Sequence, residues 1–182
     1  MSYRTSYDKE VDFENDLIKM LIEDKGWKDG VLEYPTEEEL IRNWSGIIYK
    51  RNRSVDRLGD YPLTEGEMNQ IMTEIAMRKT PLKLNGFIND GIVQIVRDEE
   101  RDIHNFKKTV SLDIFNRKEI AAGRTFYQIA RQPKYRSKDS IYPKRRGDFC
   151  LLINGMPLIH VELKKSCIPV SEAQYQIQKY LS

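Results

Sequence analysis

The sequence predicts a mixed α/β fold, on three observations. Apolar residues recur at helical spacing through roughly the first 80 positions. Short apolar runs bounded by turn residues dominate from about residue 82 onward, and a helix-opening pattern returns at Ser171. Helices first, then strands, then a helix again is the order of a mixed α/β domain. The 182 residues, 40% hydrophobic and 32% charged, suffice for one ordinary core. A single domain over 1–182 is therefore expected, with its helical region at about 1–80 and its sheet and last helix at about 82–182.

Each element has a local reason. Phe13, Leu17, Ile18, Leu21 and Ile22 form one apolar stripe, which predicts a helix over Val11–Asp24 stopped by Gly26. Thr36 with Glu39 has capping-box form and opens a helix over Glu37–Lys50. Thr64 with Glu67 repeats the device, and Met68, Ile71, Met72 and Ile75 supply the stripe of a third helix ending before Pro81. Asn85-Gly86 and Asp90-Gly91 then read as turns. Strands are expected at Ile92–Val96, Thr109–Phe115, Thr125–Ala130, Asp148–Ile153 and Leu158–Lys164. Ser171 with Gln174 is a further capping box, and the helix it opens meets the C-terminus at Ser182 without a stop signal, as expected of a piece of a longer protein.

Composition excludes several function classes. No apolar run approaches the ~18–20 residues of a membrane span, and the opening MSYRTSYDKEVDF lacks the apolar stretch of a signal peptide. A cytoplasmic protein with no membrane partner is expected. The two cysteines, Cys150 and Cys167, have no metal-site spacing and read as reduced thiols. The net charge of +2 says little, but Lys134, Arg136, Lys138, Lys144, Arg145 and Arg146 crowd the stretch before Asp148. Lys144, Arg145 and Arg146 are candidate phosphate-backbone contacts, against the alternative of a solvated loop.

The informative segment runs from Gly147 to Lys164: an acid, an apolar strand, Asn154-Gly155, a second apolar strand, then Glu162-Leu163-Lys164. Register tests whether the acids meet, because successive strand side chains alternate faces. A two-residue Asn-Gly turn pairs Ile153 with Met156 and sets Asp148 opposite Val161. A three-residue loop over 154–156 pairs Ile153 with Pro157 and sets Asp148 opposite Glu162. The second register gathers Phe149, Leu151, Ile153, Ile159, Val161 and Leu163 on one apolar face. It leaves Asp148, Cys150, Leu152, Leu158, His160, Glu162 and Lys164 on the other. Burial sets register, so the three-residue loop or an equivalent bulge is expected.

Two adjacent carboxylates repel when ionised, and a divalent cation removes the conflict. Hard oxygen ligands suit Mg²⁺, with Mn²⁺ as an alternative. Such an ion stabilises charge on a phosphate and acidifies water. Lys164, on the same face as Glu162, is placed to orient or deprotonate that water or to neutralise transition-state charge. The Leu163 carbonyl is a further candidate ligand. His160 lies two residues before Glu162 on this face, where a satisfied structural role is the expected one.

The segment GDFCLLINGMPLIHVELKKSCIPVSEAQYQIQKY resembles the nuclease motif of the R subunit (HsdR) of type I restriction enzymes, members of the PD-(D/E)xK nucleases. NRSVDRLGDYPLTEGEMNQI and KTPLKLNGFINDG resemble further parts of the same N-terminal region, and GRTFYQIARQPKY the strand before the nuclease hairpin. The resemblance implies a restriction-endonuclease-like core, a mixed central sheet flanked by helices. It implies metal ligation by Asp148 and Glu162 and a catalytic role for Lys164. Gln176 and Tyr180 match the Gln-x-x-x-Tyr motif of RecB-like relatives, with Gln174 and Gln178 as a competing pair. Glu14 is the candidate for an additional metal ligand from the first helix; Asp16 is the alternative, and a solvated helix charge is the plainer reading.

The implied function is Mg²⁺-dependent hydrolysis of double-stranded DNA as the endonuclease domain of a type I site-specific deoxyribonuclease, in a bacterium or archaeon. The implied partners are a methyltransferase (M) and a specificity (S) subunit. This sequence has no Gly-x-x-x-x-Gly-Lys-Ser/Thr loop, so ATP is expected only in motor domains elsewhere in the parent. Two rival functions are a PD-(D/E)xK nuclease of DNA repair or recombination and a catalytically silent DNA-binding or docking module.

Overall fold

The computed structural model describes residues 9–116, 122, 125–135, 145–146, 148–164, 171 and 174–175. In chain order the elements are α1 (Glu10–Lys25), β1 (Val31–Glu33), α2 (Glu37–Arg51), α3 (Glu65–Ala76), α4 (Pro81–Asp90), β2 (Ile92–Val96), β3 (Thr109–Asp113), β4 (Tyr127–Arg131), β5 (Lys134–Tyr135), β6 (Arg145–Arg146), β7 (Phe149–Ile153) and β8 (Met156–Val161). The fold is mixed α/β with a mixed sheet flanked by helices, as expected. The chain divides into two compact units, Met1–Leu40 with Phe126–Ser182, and Ile41–Thr125.

In the first unit the sheet runs β1-β4-β7-β8. β1 lies parallel to β4, and β4–β7 and β7–β8 are antiparallel. One sheet face carries Ile129, Phe149 and Leu151, which with Leu163 pack against Ile18 of α1, joined by Phe13, Leu17, Leu21 and Ile22. The helical stripe read from the sequence is thus the stripe that covers the sheet. The other face buries Ala130, Cys150 and Leu152 against Leu40 at the start of α2. Gly26 ends α1 in the left-handed region, φ 78°, and Thr36 and Glu39 exchange both capping-box hydrogen bonds at the start of α2. β1 escaped the sequence reading because three residues are too few to show a period. β5 and β6 pair as a two-residue ribbon that the sequence does not signal.

The second unit pairs β2 with β3, antiparallel from Ile92↔Asp113 to Val96↔Thr109. Val93, Ile95, Val110 and Leu112 are buried while their neighbours alternate outward. The Thr64–Glu67 capping box opens α3 as expected. Gln70 of α3 clamps the edge of β2, accepting from Val96 N at 2.8 Å and donating to its carbonyl at 3.0 Å. The centre is ionic: fully buried Arg97 pairs with Glu67 and with Asp102 Oδ2 at 3.0 Å, and donates to the Tyr61 carbonyl at 2.6 Å.

Asn85-Gly86, read as a turn, lies inside α4. The overlooked signal is Thr80-Pro81: Thr80 accepts from Lys83 N as N-cap and proline opens the first turn. Asp90-Gly91 does end that helix. Gly91 has φ 61°, and a Cβ there would lie 2.0 Å from the Phe115 carbonyl oxygen. Gly91→Ala therefore combines left-handed strain with a backbone clash, and should lower stability by about 3 kcal/mol. Chemical denaturation monitored by circular dichroism checks this; an unchanged midpoint would contradict it.

Candidate active site

The β7–β8 hairpin resolves the register question by a route that combines both sequence expectations. The turn is the two-residue Asn154-Gly155, with Ile153 opposite Met156. The three-residue loop is therefore not formed. Both turn residues have positive φ, 51° and 83°, which suits the tight turn whose twist matches the flanking strands. The packing demand is met one step later. The pairing shifts between Leu151 and Leu152, leaving Leu158 as the extra residue of a bulge, after which Leu151, Cys150 and Phe149 face Ile159, His160 and Val161. Continued one residue further, that register sets Asp148 across from Glu162. Of the expected apolar face, Phe149, Leu151 and Leu163 are buried together with Val161 packed against them, whereas Ile153 is half-buried outside that cluster and Ile159, on the edge strand β8, is 47% exposed.

Asp148 sits just before β7, and its Oδ2 accepts a hydrogen bond from Leu163 N, at the centre of Glu162-Leu163-Lys164. Burial pushes the Asp148 carboxyl from its ordinary 3.8 up to about 6. The Leu163 N–H and the Lys164 ammonium oppose that rise, whereas the negative charges of Glu162 and Glu14 add to it. The Glu162 side chain is 1% exposed, with Oε1 3.2 Å from Lys164 Nζ. Its Oε2 is buried and has no hydrogen-bond partner among the described residues; His160 Nε2 lies 3.6 Å away.

The hairpin thus brings Asp148, Glu162 and Lys164 together. Glu14 of α1 is buried beside them, with Oε1 held by Arg131 Nε at 2.8 Å and Oε2 by Gln132 Nε2 at 3.1 Å. Gln132 N in turn donates to the Asp148 carbonyl at 2.7 Å. Glu14 therefore braces the backbone that carries Asp148, through two residues the sequence reading missed. Their only signal is position, at the end of the strand beside β7 and directly after it. Asp16 is exposed. Among the basic candidates, Arg145 and Arg146 form β6, and Lys144 lies outside the described residues. Ser171, Gln174 and Tyr175 are helical where a final helix was expected; Cys167, Gln176, Gln178 and Tyr180 lie outside the described residues.

A cation fits this donor set. Asp148, Glu162 and the Leu163 carbonyl are hard oxygen donors, and Glu162 Oε2 is a buried acceptor without a hydrogen bond among the described residues. Among the described residues no group of three His, Cys, Asp or Glu side chains could hold a metal, but one or two carboxylates suffice for Mg²⁺. Burial of the Asp148 carboxyl, with the negative charge of Glu162 adding to it, has a measurable consequence. Because the folded-state carboxyl binds its proton up to about pH 6 and the unfolded one only to about 3.8, ionisation weakens the fold as pH rises through that window. Asp148→Asn keeps an acceptor for Leu163 N and removes the penalty. Without metal it should melt roughly 2–4 °C higher than the parent at pH 8, about 1 kcal/mol after discounting for partial exposure. The gap should close as pH falls to 4, which calorimetric melting checks.

The fold and the hairpin are consistent with a nuclease-like α/β core that carries neighbouring carboxylates. The chain belongs to the family described as the type I restriction enzyme R protein N terminus, whose match covers residues 7–182. Curated relatives agree. The chain is 28% identical over 174 residues to the type I restriction enzyme SsaAORF53P endonuclease subunit of Staphylococcus saprophyticus, and 28% identical over 175 residues to the SauCOLORF180P endonuclease subunit of Staphylococcus aureus. It is 26% identical over 180 residues to the EcoprrI endonuclease subunit of Escherichia coli. Each alignment covers 96% of this chain, which spans 17% of the staphylococcal relatives and 50% of the E. coli one. Among the described residues no helix is long and apolar enough to cross a membrane.

Proposed function

We propose that this chain is the DNA-cleaving domain of a type I restriction enzyme R subunit, hydrolysing phosphodiester bonds of double-stranded DNA. The observation that carries the reading is Asp148 hydrogen-bonded to Leu163 N, between Glu162 and Lys164, where the three side chains are partly or fully buried. Asp148, Glu162 and the Leu163 carbonyl are the proposed ligands of Mg²⁺ or Mn²⁺. Glu14 is the further candidate ligand, through the lone pairs that its bonds to Arg131 and Gln132 leave open. When bound, such an ion stabilises charge on the scissile phosphate and acidifies water.

The chain's own residues supply the rest. Lys164 orients the attacking water, takes its proton or offsets charge on the phosphate. Arg131, Gln132 and Glu14 hold the Asp148 backbone. Arg145, Arg146 and Lys144 are assigned to the DNA backbone, and Gln176 and Tyr180 to DNA contact or support of the site. In the parent, sequence reading belongs to an S subunit, methylation to an M subunit and ATP hydrolysis to downstream motor domains, within the bacterial or archaeal cytoplasm.

A second reading, a silent docking module, draws on the absence of a third acidic or imidazole ligand among the described residues. Calorimetric titration with Mn²⁺ separates the two. The nuclease reading expects binding that Asp148→Ala reduces at least tenfold. Absence of binding, or equal binding by both proteins, favours the docking module.

A further inference from the structure

We propose that His160 is a positioning residue for Glu162: its imidazole, anchored on the Cys150 thiol, fixes the buried carboxylate that faces the candidate metal site. This inference rests on the nuclease reading and extends it to a residue outside the Asp-Glu-Lys set.

The strands dictate the arrangement. Cys150 and His160 are direct cross-strand partners beyond the bulge, and His160 and Glu162 are two residues apart on one face. His160 Nδ1 lies 3.4 Å from Cys150 Sγ, which lies 3.2 Å from the Tyr135 hydroxyl. The ring is thus tethered at one nitrogen, and its Nε2 reaches to 3.6 Å from Glu162 Oε2. Glu162 has its other oxygen on the Lys164 ammonium, at the end of a flexible chain. A carboxylate held only there swings about its last torsion. A ring fixed from the opposite strand and set against Oε2 restricts that swing and holds the group ready for a cation. Partners of this kind, behind the ligands of a metal, commonly affect affinity by about 10–100-fold.

The cross-strand tether also explains an oddity of composition. A thiol and an imidazole occupy the middle of a strand pair whose other residues are apolar, and each supplies the other's polar partner. The bulge at Leu158 is what brings them opposite each other, as it brings Asp148 opposite Glu162.

The test is Mn²⁺ titration calorimetry on the full chain, with circular dichroism melting as a check on folding. His160→Ala and His160→Asn should weaken Mn²⁺ binding about 10–100-fold. Asn keeps a polar group near Cys150 but cannot reach Glu162, so it serves even if the alanine variant fails to fold. His160→Gln, whose amide nitrogen takes the place of Nε2, should restore affinity to within a few-fold of the parent. A purely structural histidine would lower the melting temperature in all three variants and leave affinity unchanged. Mn²⁺ binding that is sensitive to Asp148→Ala but unchanged by His160→Asn, or equally weak in the Asn and Gln variants, overturns this inference while leaving the nuclease reading standing. Failure of the parent chain to bind Mn²⁺ overturns both.

Discussion

Replacing Lys164 by alanine is expected to cut DNA cleavage by the assembled restriction complex about a thousandfold or more, while Mn²⁺ binding stays the same or tightens. The two effects have opposite causes. Lys164 Nζ lies 3.2 Å from Glu162 Oε1, so its positive charge competes with any cation at that carboxylate. Removing it relieves the competition and leaves the proposed ligands in place. Cleavage fails because no ammonium remains beside the attacking water or the charge that develops on the phosphate. Linearisation of a supercoiled plasmid carrying the recognition site reads the first effect, and calorimetry reads the second. Continued cutting by the variant would remove Lys164 from the mechanism. Lost cutting with lost metal binding would reassign it to assembly of the site.

The second large effect belongs to the other unit and concerns stability. Arg97 is fully buried, with Glu67 on one side and Asp102 on the other. Arg97→Met should destabilise the protein by about 3–5 kcal/mol, because two carboxylates then remain buried without a cation. The corresponding fall in melting temperature is roughly 6–20 °C. Adding Glu67→Gln and Asp102→Asn to Arg97→Met should recover part of the loss by neutralising the stranded acids. If the single variant melts like the parent, solvent reaches these acids and the network is not the ionic centre described above.

The parts of the molecule that were legible in the sequence are those with a strong local cause. The α1 stripe, the capping boxes at Thr36 and Thr64, and Ile92–Val96 needed only periodicity or a hydrogen bond three residues long. The hairpin acids were legible because burial restricts which side chains can share a face. The hidden parts depend on contacts distant in sequence. Nothing near Arg97 foretells that Glu67, 30 positions earlier, closes its ion pair. Likewise Glu14 reads as an ordinary charge on an amphipathic helix until Arg131 and Gln132, 117 and 118 positions away, take its two oxygens. Asn85-Gly86 misled for a different reason: a turn-forming pair was outweighed by the Thr80-Pro81 start signal upstream.

Leu158 has an effect on how this hairpin tolerates change. A tight turn imposes one parity on the strand that follows it, and the acidic pair requires the other. One surplus residue supplies the missing half-step, so closure of the hairpin and alignment of the acids answer to separate parts of the chain. The turn is thereby relieved of any duty toward the chemistry, and the phase of the chemistry is set a few residues downstream.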